Sequence, residues 1–308
     1  MLKKVLGIFL LLILCYGSAA TGQEIVAVQS IRVKPYEEAI KGFKGVCRCR
    51  IQRLVLSQLE GADVAREIRR IRPHMVLAIG KDALSAVKKI KSVPVVYLMV
   101  LNPQTILSGE KNITGVSMNI SPDKQLRALL DALPQTKKIG LVFDPDRTGT
   151  FVKEARNSAG PMGVSLIASE IHSPGDAPSC IMDMRGKIDV FWMLPDITVI
   201  TPETVEFLLL FSLQNDIPLL TFSEKYLEMG AFMSTGIDPV DMGVQAGEMA
   251  NRILQGIHTK PEQQVHARRM VVSTNLMIAG KLGITVNIAG TSGMNLDEKI
   301  VRNSLIVN

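Results

Sequence analysis

Residues 138–151 read KIGLVFDPDRTGTF. An apolar run from Ile139 to Phe143 stops at Asp144-Pro145-Asp146, and a hydroxyl-rich turn, Thr148-Gly149-Thr150, opens a helical pattern. Five apolar residues in a row, bounded by a turn, are what a strand covered on both faces requires. A polar turn that leads directly into a helix is the signature of a βα unit.

The same pattern repeats outward in both directions. Strands are expected at Ile25–Val28, Ile51–Leu56, Met75–Ile79, Val93–Val100, Ile139–Phe143, Val164–Ile171, Val190–Leu194 and Ile217–Phe222. Helical spacing lies between them at Tyr36–Phe43, Val64–Ile71, Ala83–Ile90, Lys124–Leu133, Phe151–Ala159, Ala177–Met184 and Glu203–Leu213. This alternation predicts an α/β fold with parallel sheets. Ser121-Pro122, Thr201-Pro202 and Asp238-Pro239 each place a capping side chain before a proline and mark helix starts. Lys88 and Lys89 close one helix with the charge its dipole favours. Four strands precede Leu133-Pro134-Gln135-Thr136 and four follow it, which predicts two similar Rossmann-like lobes.

The composition narrows the class. The 308 residues are 47% apolar and 21% charged, enough for two packed cores and too few charges for a disordered chain. The formal net charge is +6, and Lys3 and Lys4 supply two of those charges. The remainder is spread thinly, and Arg48, Arg50 and Arg53 read as a solvated strand face, so no nucleic acid partner is expected. Residues 1–20 read as a signal peptide: a basic start, an apolar stretch from Val5 to Leu14, and Ser18-Ala19-Ala20 as a cleavage site. Export to the periplasm or cell surface follows. Cys15 raises a lipid-anchored alternative, but bulky Leu14 stands where a lipobox needs a small residue. Cys47, Cys49 and Cys180 remain, an odd number and no disulfide framework. Cys47 and Cys49 read as small buried hydrophobes on one face of a strand. His74, His172, His258 and His266 stand singly, so no metal site is expected. Asn112-Ile113-Thr114 matches a glycosylation sequon.

No nucleotide loop, nucleophile elbow or metalloprotease motif is present. No catalytic residue and no cofactor is expected. In open parallel sheets, ligands bind beyond the carboxyl ends of the strands. Those ends supply Gln29, Ser30, Gly80, Lys81, Asn102, Asp144, Asp146, Thr148, Asp196 and Ser223, followed by Thr235 and Asp238. Helix N-termini suit a carboxylate and the aspartates suit an ammonium, so together they predict a small polar organic solute, of which an amino acid is one kind. Thr148 is expected to cap its helix while Asp144 or Asp146 meets the ligand. Aromatics make up only 5%, and Phe191-Trp192 reads as core, which gives little support for a tryptophan ligand.

These residues resemble a known family. Asn112–Ser117, LRALLDALPQTKKIGLVFDP (126–145), IPLLTFSEKYLEMGAFMSTGID (217–238), MGVQAGEMANRILQG (242–256) and NLMIAGKLGI (275–284) are similar, in order and spacing, to the substrate-binding proteins of ABC transporters that include tryptophan- and tyrosine-binding members. The resemblance implies a type I periplasmic binding protein architecture with a ligand cleft at a hinge. It implies lobe 1 at 23–134 plus 236–256 and lobe 2 at 135–235 plus 257–288, and leaves a tail at 289–308 without a role. It implies a monomer that hands its solute to a membrane permease. Lys81 departs from the small hydroxyl residue usual in relatives, and Ser30–Lys34 lacks their histidine-proline pair. A sensor for a receptor or kinase shares the same features, and a secreted enzyme using Asp144 or Asp196 is the reading from another class.

Overall fold

A computed structural model of the chain describes residues 23–59, 63–257, 264–286 and 300–306. The expected leader with Cys15, and His258, lie outside these residues. The chain forms two compact units, one from residues up to Ser117 together with Met242–Val265, the other from Met118–Asp241 together with His266–Asn308.

The first unit opens with β1 (Glu24–Gln29), α1 (Lys34–Val46), β2 (Arg50–Val55), α2 (Val64–Ile71), β3 (Met75–Ile79), α3 (Lys81–Val87), β4 (Val95–Val100) and β5 (Ile113–Ser117). The second is built from α4 (Pro122–Ala132), β6 (Lys138–Phe143), α5 (Pro145–Ala159), β7 (Ser165–Glu170), α6 (Ala177–Met182), β8 (Val190–Trp192), α7 (Pro202–Gln214), β9 (Leu219–Thr221), α8 (Lys225–Glu228) and β10 (Met233–Ile237). Helix α9 (Pro239–Leu254) carries the chain back to the first unit, where β11 (Gln264–His266) joins its sheet. Finally β12 (Arg269–Asn275), α10 (Leu276–Lys281) and β13 (Ile300–Ile306) complete the second.

The first sheet runs β11-β5-β4-β3-β1-β2, and β1, β2, β3, β4 and β5 pair in parallel. The second runs β13-β12-β10-β9-β8-β6-β7. It is parallel from β7 to β10, but β12 pairs antiparallel with both β10 and β13. All eight expected strands form, and the fold is the α/β type predicted. Burial explains why they were visible. Every residue of β3 and β4 is buried, as helices on both sheet faces demand. Val26, Val28, Val76, Ala78 and Tyr97 pack with Leu84 and Val87 of α3. In the second unit Phe191 and Trp192 are both 1% exposed, so they are core as expected, with Phe151 edge-on to Trp192 at 5.4 Å.

Five differences from the sequence reading have physical causes. The units divide at Ser117/Met118 rather than after Pro134, because Leu126, Leu129 and Ala132 of α4 pack on Ile139, Leu141 and Val152 of the second unit. The unexplained tail contains β13, which pairs with β12 along its whole length from Arg269↔Ile306 to Asn275↔Ile300. Cys47 is the C-cap of α1 and Cys49 lies in the following loop; neither is on a strand, and their sulfurs are joined in a disulfide. Arg48 precedes β2, while Arg50 and Arg53 lie three apart and so face opposite sides of it. Asn112 is a poor glycan acceptor, because its amide donates to Ile90 O and Val93 O, both at 2.8 Å.

Candidate functional site

In a doubly wound sheet, the crevice where strand order reverses is a natural ligand site. In the first unit the reversal lies between β1 and β3; in the second it lies between β6 and β8. Polar candidates from the sequence converge on each of these points.

At the first, Ser30 follows β1 and Gly80 follows β3. The Ser30 amide donates to Ile79 O at 3.0 Å, and its hydroxyl accepts from Ala83 N at 3.0 Å, tying β1 to the first turn of α3. Gly80 has φ +91°, and a Cβ there would collide with the Tyr36 hydroxyl and with Ser30 Oγ. Glycine is therefore needed on two counts, backbone angle and space. Tyr36 was missed by the sequence reading. Pro35 marks the start of α1, so an aromatic in the next position falls in its first turn, and that signal was available. Partial burial, with Asp82 adding to it, raises the Tyr36 phenol pKa and keeps it a neutral donor. Lys81 is exposed at the start of α3.

Gln29 is fully buried at the end of β1. Its Nε2 donates to Glu37 Oε1 at 3.4 Å, while its Oε1 is buried with no protein partner. Glu37 is held by both oxygens on Arg53 Nη2 at 2.8 Å, with Arg32 Nε 3.6 Å away. The Arg53 bond, the largest cause, lowers the Glu37 pKa. Arg32 and Arg53 also line a cavity of about 390 Å³ with Leu54, Val55, Gln58 and Leu59. Asn102 stands two residues past β4 in the left-handed region at φ +49°, its carbonyl accepting from Thr105. Met99, inside β4, has φ +57°, where the register between β4 and β5 shifts.

At the second reversal, Asp144 and Asp196 interlock. Asp196 is 1% exposed and accepts three bonds: from Asp144 N at 2.9 Å, from the Thr148 hydroxyl at 2.6 Å and from Thr198 N at 3.0 Å. Asp144 in turn accepts from the Thr198 hydroxyl at 2.6 Å and from Asp146 N at 3.0 Å. Thus Asp144, not Thr148, caps α5; Thr148 sits inside the helix and reaches across to Asp196. The Thr198 bond is the main reason the Asp144 pKa is lowered; burial opposes it, and the Asp146 amide, His172 and Arg147 add to it. His172 Nδ1 lies 3.7 Å from Asp144 Oδ1, so this histidine is not solitary. Asp144, Asp146 and His172 bring one ligand atom each within 4.8 Å. Thr198 was also missed, although Asp196-Ile197-Thr198 is the pattern of an aspartate that bonds its own backbone two residues on.

The remaining candidates are dispersed. Ser223 follows β9 and shares a turn with Thr221. Beside it the partly buried rings of Phe222 and Tyr226 meet edge-on at 5.3 Å. Thr235 is 2% exposed within β10, its hydroxyl donating to Gln125 Oε1 at 3.0 Å. Asp238 caps α9 by accepting from Val240 N and Asp241 N. The expected Ser121 cap on α4 makes no side-chain bond, whereas Thr201 accepts from Thr204 N on α7 as expected.

The family model for ABC transporter substrate binding proteins matches residues 54–289. The chain belongs to this family. Members are ligand-binding proteins, and this one has no described helix long and apolar enough to cross a membrane. Over 183 residues it is 25% identical to the tyrosine-binding protein of Clostridioides difficile (strain R20291), covering 57% of this chain. That alignment spans about half, 52%, of the relative's length. Among solved structures, it resembles a ligand-free, open substrate-binding protein with adhesive properties from Clostridium difficile. The TM-score is 0.73 at 20% identity, with 88% of this chain and 98% of that one covered. It also resembles an ABC domain from Streptococcus pneumonia in complex with L-Trp, with TM-score 0.59, 21% identity, and 86% and 95% coverage. These structures share the fold of this substrate-binding protein.

Proposed function

We propose that the chain is the extracytoplasmic binding component of an ABC importer, taking a free amino acid and delivering it to a membrane permease. The observation that carries this reading is the pair of topological reversals. One is lined by Gln29, Ser30, Gly80 and Tyr36, the other by Asp144, Asp146, Thr148 and Asp196. An α-amino acid needs hydrogen-bond donors for its carboxylate and acceptors for its ammonium, and both kinds are present.

An aromatic side chain on the solute is the preferred class. Tyr36 stands against Gly80, and the Phe222–Tyr226 pair lies at another strand end, so a low overall aromatic content does not exclude aromatic contacts. The names of the two relatives that bind tyrosine and tryptophan favour the same class. The chain does no chemistry on this reading. Asp144 and Asp196 are positioning groups, their oxygens engaged by amides and hydroxyls, which leaves exposed Asp146 as the carboxylate for the ammonium. The leader at residues 1–20 supports export, and binding as a monomer is the simplest form.

The test is calorimetric titration of the purified chain with each of the twenty amino acids, alongside thermal shifts. A ligand that binds only the folded state stabilises it by about 2.7 kcal/mol at a hundredfold excess over Kd. Saturable binding of tyrosine or tryptophan is expected. Binding of a sugar or nucleoside, with no amino acid bound, overturns the assignment.

A further inference from the structure

Cys47 and Cys49 have no part in the solute site. They lie before β2, whereas Ser30 follows the carboxyl end of β1, its parallel neighbour. A six-residue strand separates the two ends by roughly 20 Å.

Their disulfide joins residues only two apart in sequence, with Cα atoms 5.4 Å apart. A crosslink stabilises a fold mainly by closing a loop in the unfolded chain, and that effect shrinks with loop length. A three-residue ring is the short limit. The bond also connects no separate elements, because both cysteines belong to one loop between α1 and β2. That loop is already held without sulfur. Cys47 N donates to Phe43 O at 2.8 Å, Val46 O accepts from Asn251 Nδ2 at 3.2 Å, and Arg50 N donates to Gln23 O at 3.0 Å. The fold therefore has little use for the bond and little to lose when it opens.

The two sulfurs are unequal. Cys47 is 3% exposed, whereas Cys49 is partly exposed. Lys44 in the last turn of α1, Arg48 and Arg50 are all exposed around them. Neighbouring cations favour thiolate over thiol.

We propose that Cys47-Arg48-Cys49 is a thiol–disulfide exchange site whose partner is a small thiol or its disulfide. In the reducing direction, an incoming thiolate attacks Cys49 Sγ. The Cys47–Cys49 bond breaks, Cys47 leaves as thiolate and takes a proton from water, and a mixed disulfide remains on Cys49. A second thiolate attacks that mixed disulfide at the sulfur of the bound thiol and frees Cys49. Two thiols are oxidised to one disulfide, and the protein disulfide is reduced to two thiols. The reverse sequence reoxidises the pair.

The test uses the full chain in native buffer with glutathione as the probe. A Cys15→Ser, Cys180→Ser background removes the other two cysteines of the sequence as sources of signal. Reduced glutathione is expected to release two titratable thiols without denaturant and to move Tm by less than about 3 °C, as a bond of this ring size implies. With oxidised glutathione, Cys47→Ser is expected to form a mixed disulfide on Cys49, releasing one reduced glutathione, visible by intact mass. Cys49→Ser is expected to trap far less on buried Cys47. Three results overturn the proposal. One is a pair that opens only after unfolding. Another is a Tm loss on reduction several times larger than expected. The third is a pair of thiols that oxidised glutathione never converts to a disulfide. Amino-acid binding by the same samples reports separately on the solute site.

Discussion

Asp196 illustrates how one buried side chain can organise a strand end. It satisfies an amide on α5's cap, a hydroxyl inside α5 and an amide in its own loop. Asp196→Ala strands all three donors in a buried place, at about 1–3 kcal/mol each for an unmade bond. A loss of at least about 3 kcal/mol is expected in urea unfolding. Asp196→Asn retains one acceptor oxygen and should lose less. Asp144 predicts a pH dependence. Its folded pKa is lowered, so its contribution is complete above the ordinary aspartate range and is lost as pH falls through the lower folded value. The unfolding midpoint of the native chain should therefore drop on the acid side, and Asp144→Asn should flatten that limb. A limb unchanged by the substitution would mean that other carboxylates carry it. At this scale, the sequence shows residue types and hides their partners. Asp144 is visible as a strand-end carboxylate, but its tie to Asp196 crosses 52 residues and depends on β6 lying beside β8. Tyr36 and Thr198 were readable from local turn chemistry, whereas Thr235 pointing at Gln125 was not, since the two are 110 residues apart.

Among elements, continuous apolar strands were legible because burial on both faces leaves no polar interruption. β5 escaped notice because Gly115 breaks its pattern, and that glycine is where the Tyr97 ring and carbonyl crowd the backbone. β13 escaped because Arg302, Asn303 and Ser304 interrupt it, and its partner lies some thirty residues upstream. Helix α9 packs against α1 through Gly243 and Gly247, one turn apart. A Cβ at Gly243 would run into the backbone of Ala39, and one at Gly247 would stand 3.0 Å from Phe43 O. Gly243→Ala gains helix propensity, but the obstacle is backbone and cannot rotate away. A net loss of about 1–3 kcal/mol is expected, with Gly247→Ala milder. Ending the chain at residue 299 removes the whole β12–β13 ladder and bares the β12 edge. A lower midpoint and faster thioflavin-positive aggregation should follow, and an unchanged midpoint would mean that the ladder adds nothing.

For the whole molecule, the position of each strand in its sheet sets a gradient of local stability. β1, β3 and β4 in the first unit, and β6, β8 and β9 in the second, have strands on both sides. Hydrogen exchange followed by mass spectrometry should find their amides slowest, with β2, β7, β11 and β13 opening earlier. Uniform protection across edge and centre would contradict this gradient. The two-unit organisation was legible from the restart of the strand pattern at KKIGLVF. The place of division was not, because α4 reads equally well as the end of one unit or the start of the next, and only its packing on β6 and α5 decides.

The discontinuity of both units also has a consequence for how the protein comes into being. A chain emerges in order, and domains tend to fold as units once their residues are available. Here the first unit lacks α9 and β11 until some 240 to 265 residues have emerged, and the second lacks its edge strand until residue 306. Through most of synthesis β5 therefore presents an unpaired edge, and the α1 surface that α9 covers stays open. A chain arranged in this way postpones its own completion. Until then both units stay incompletely folded, with apolar surface and an open strand edge exposed to whatever the chain meets first.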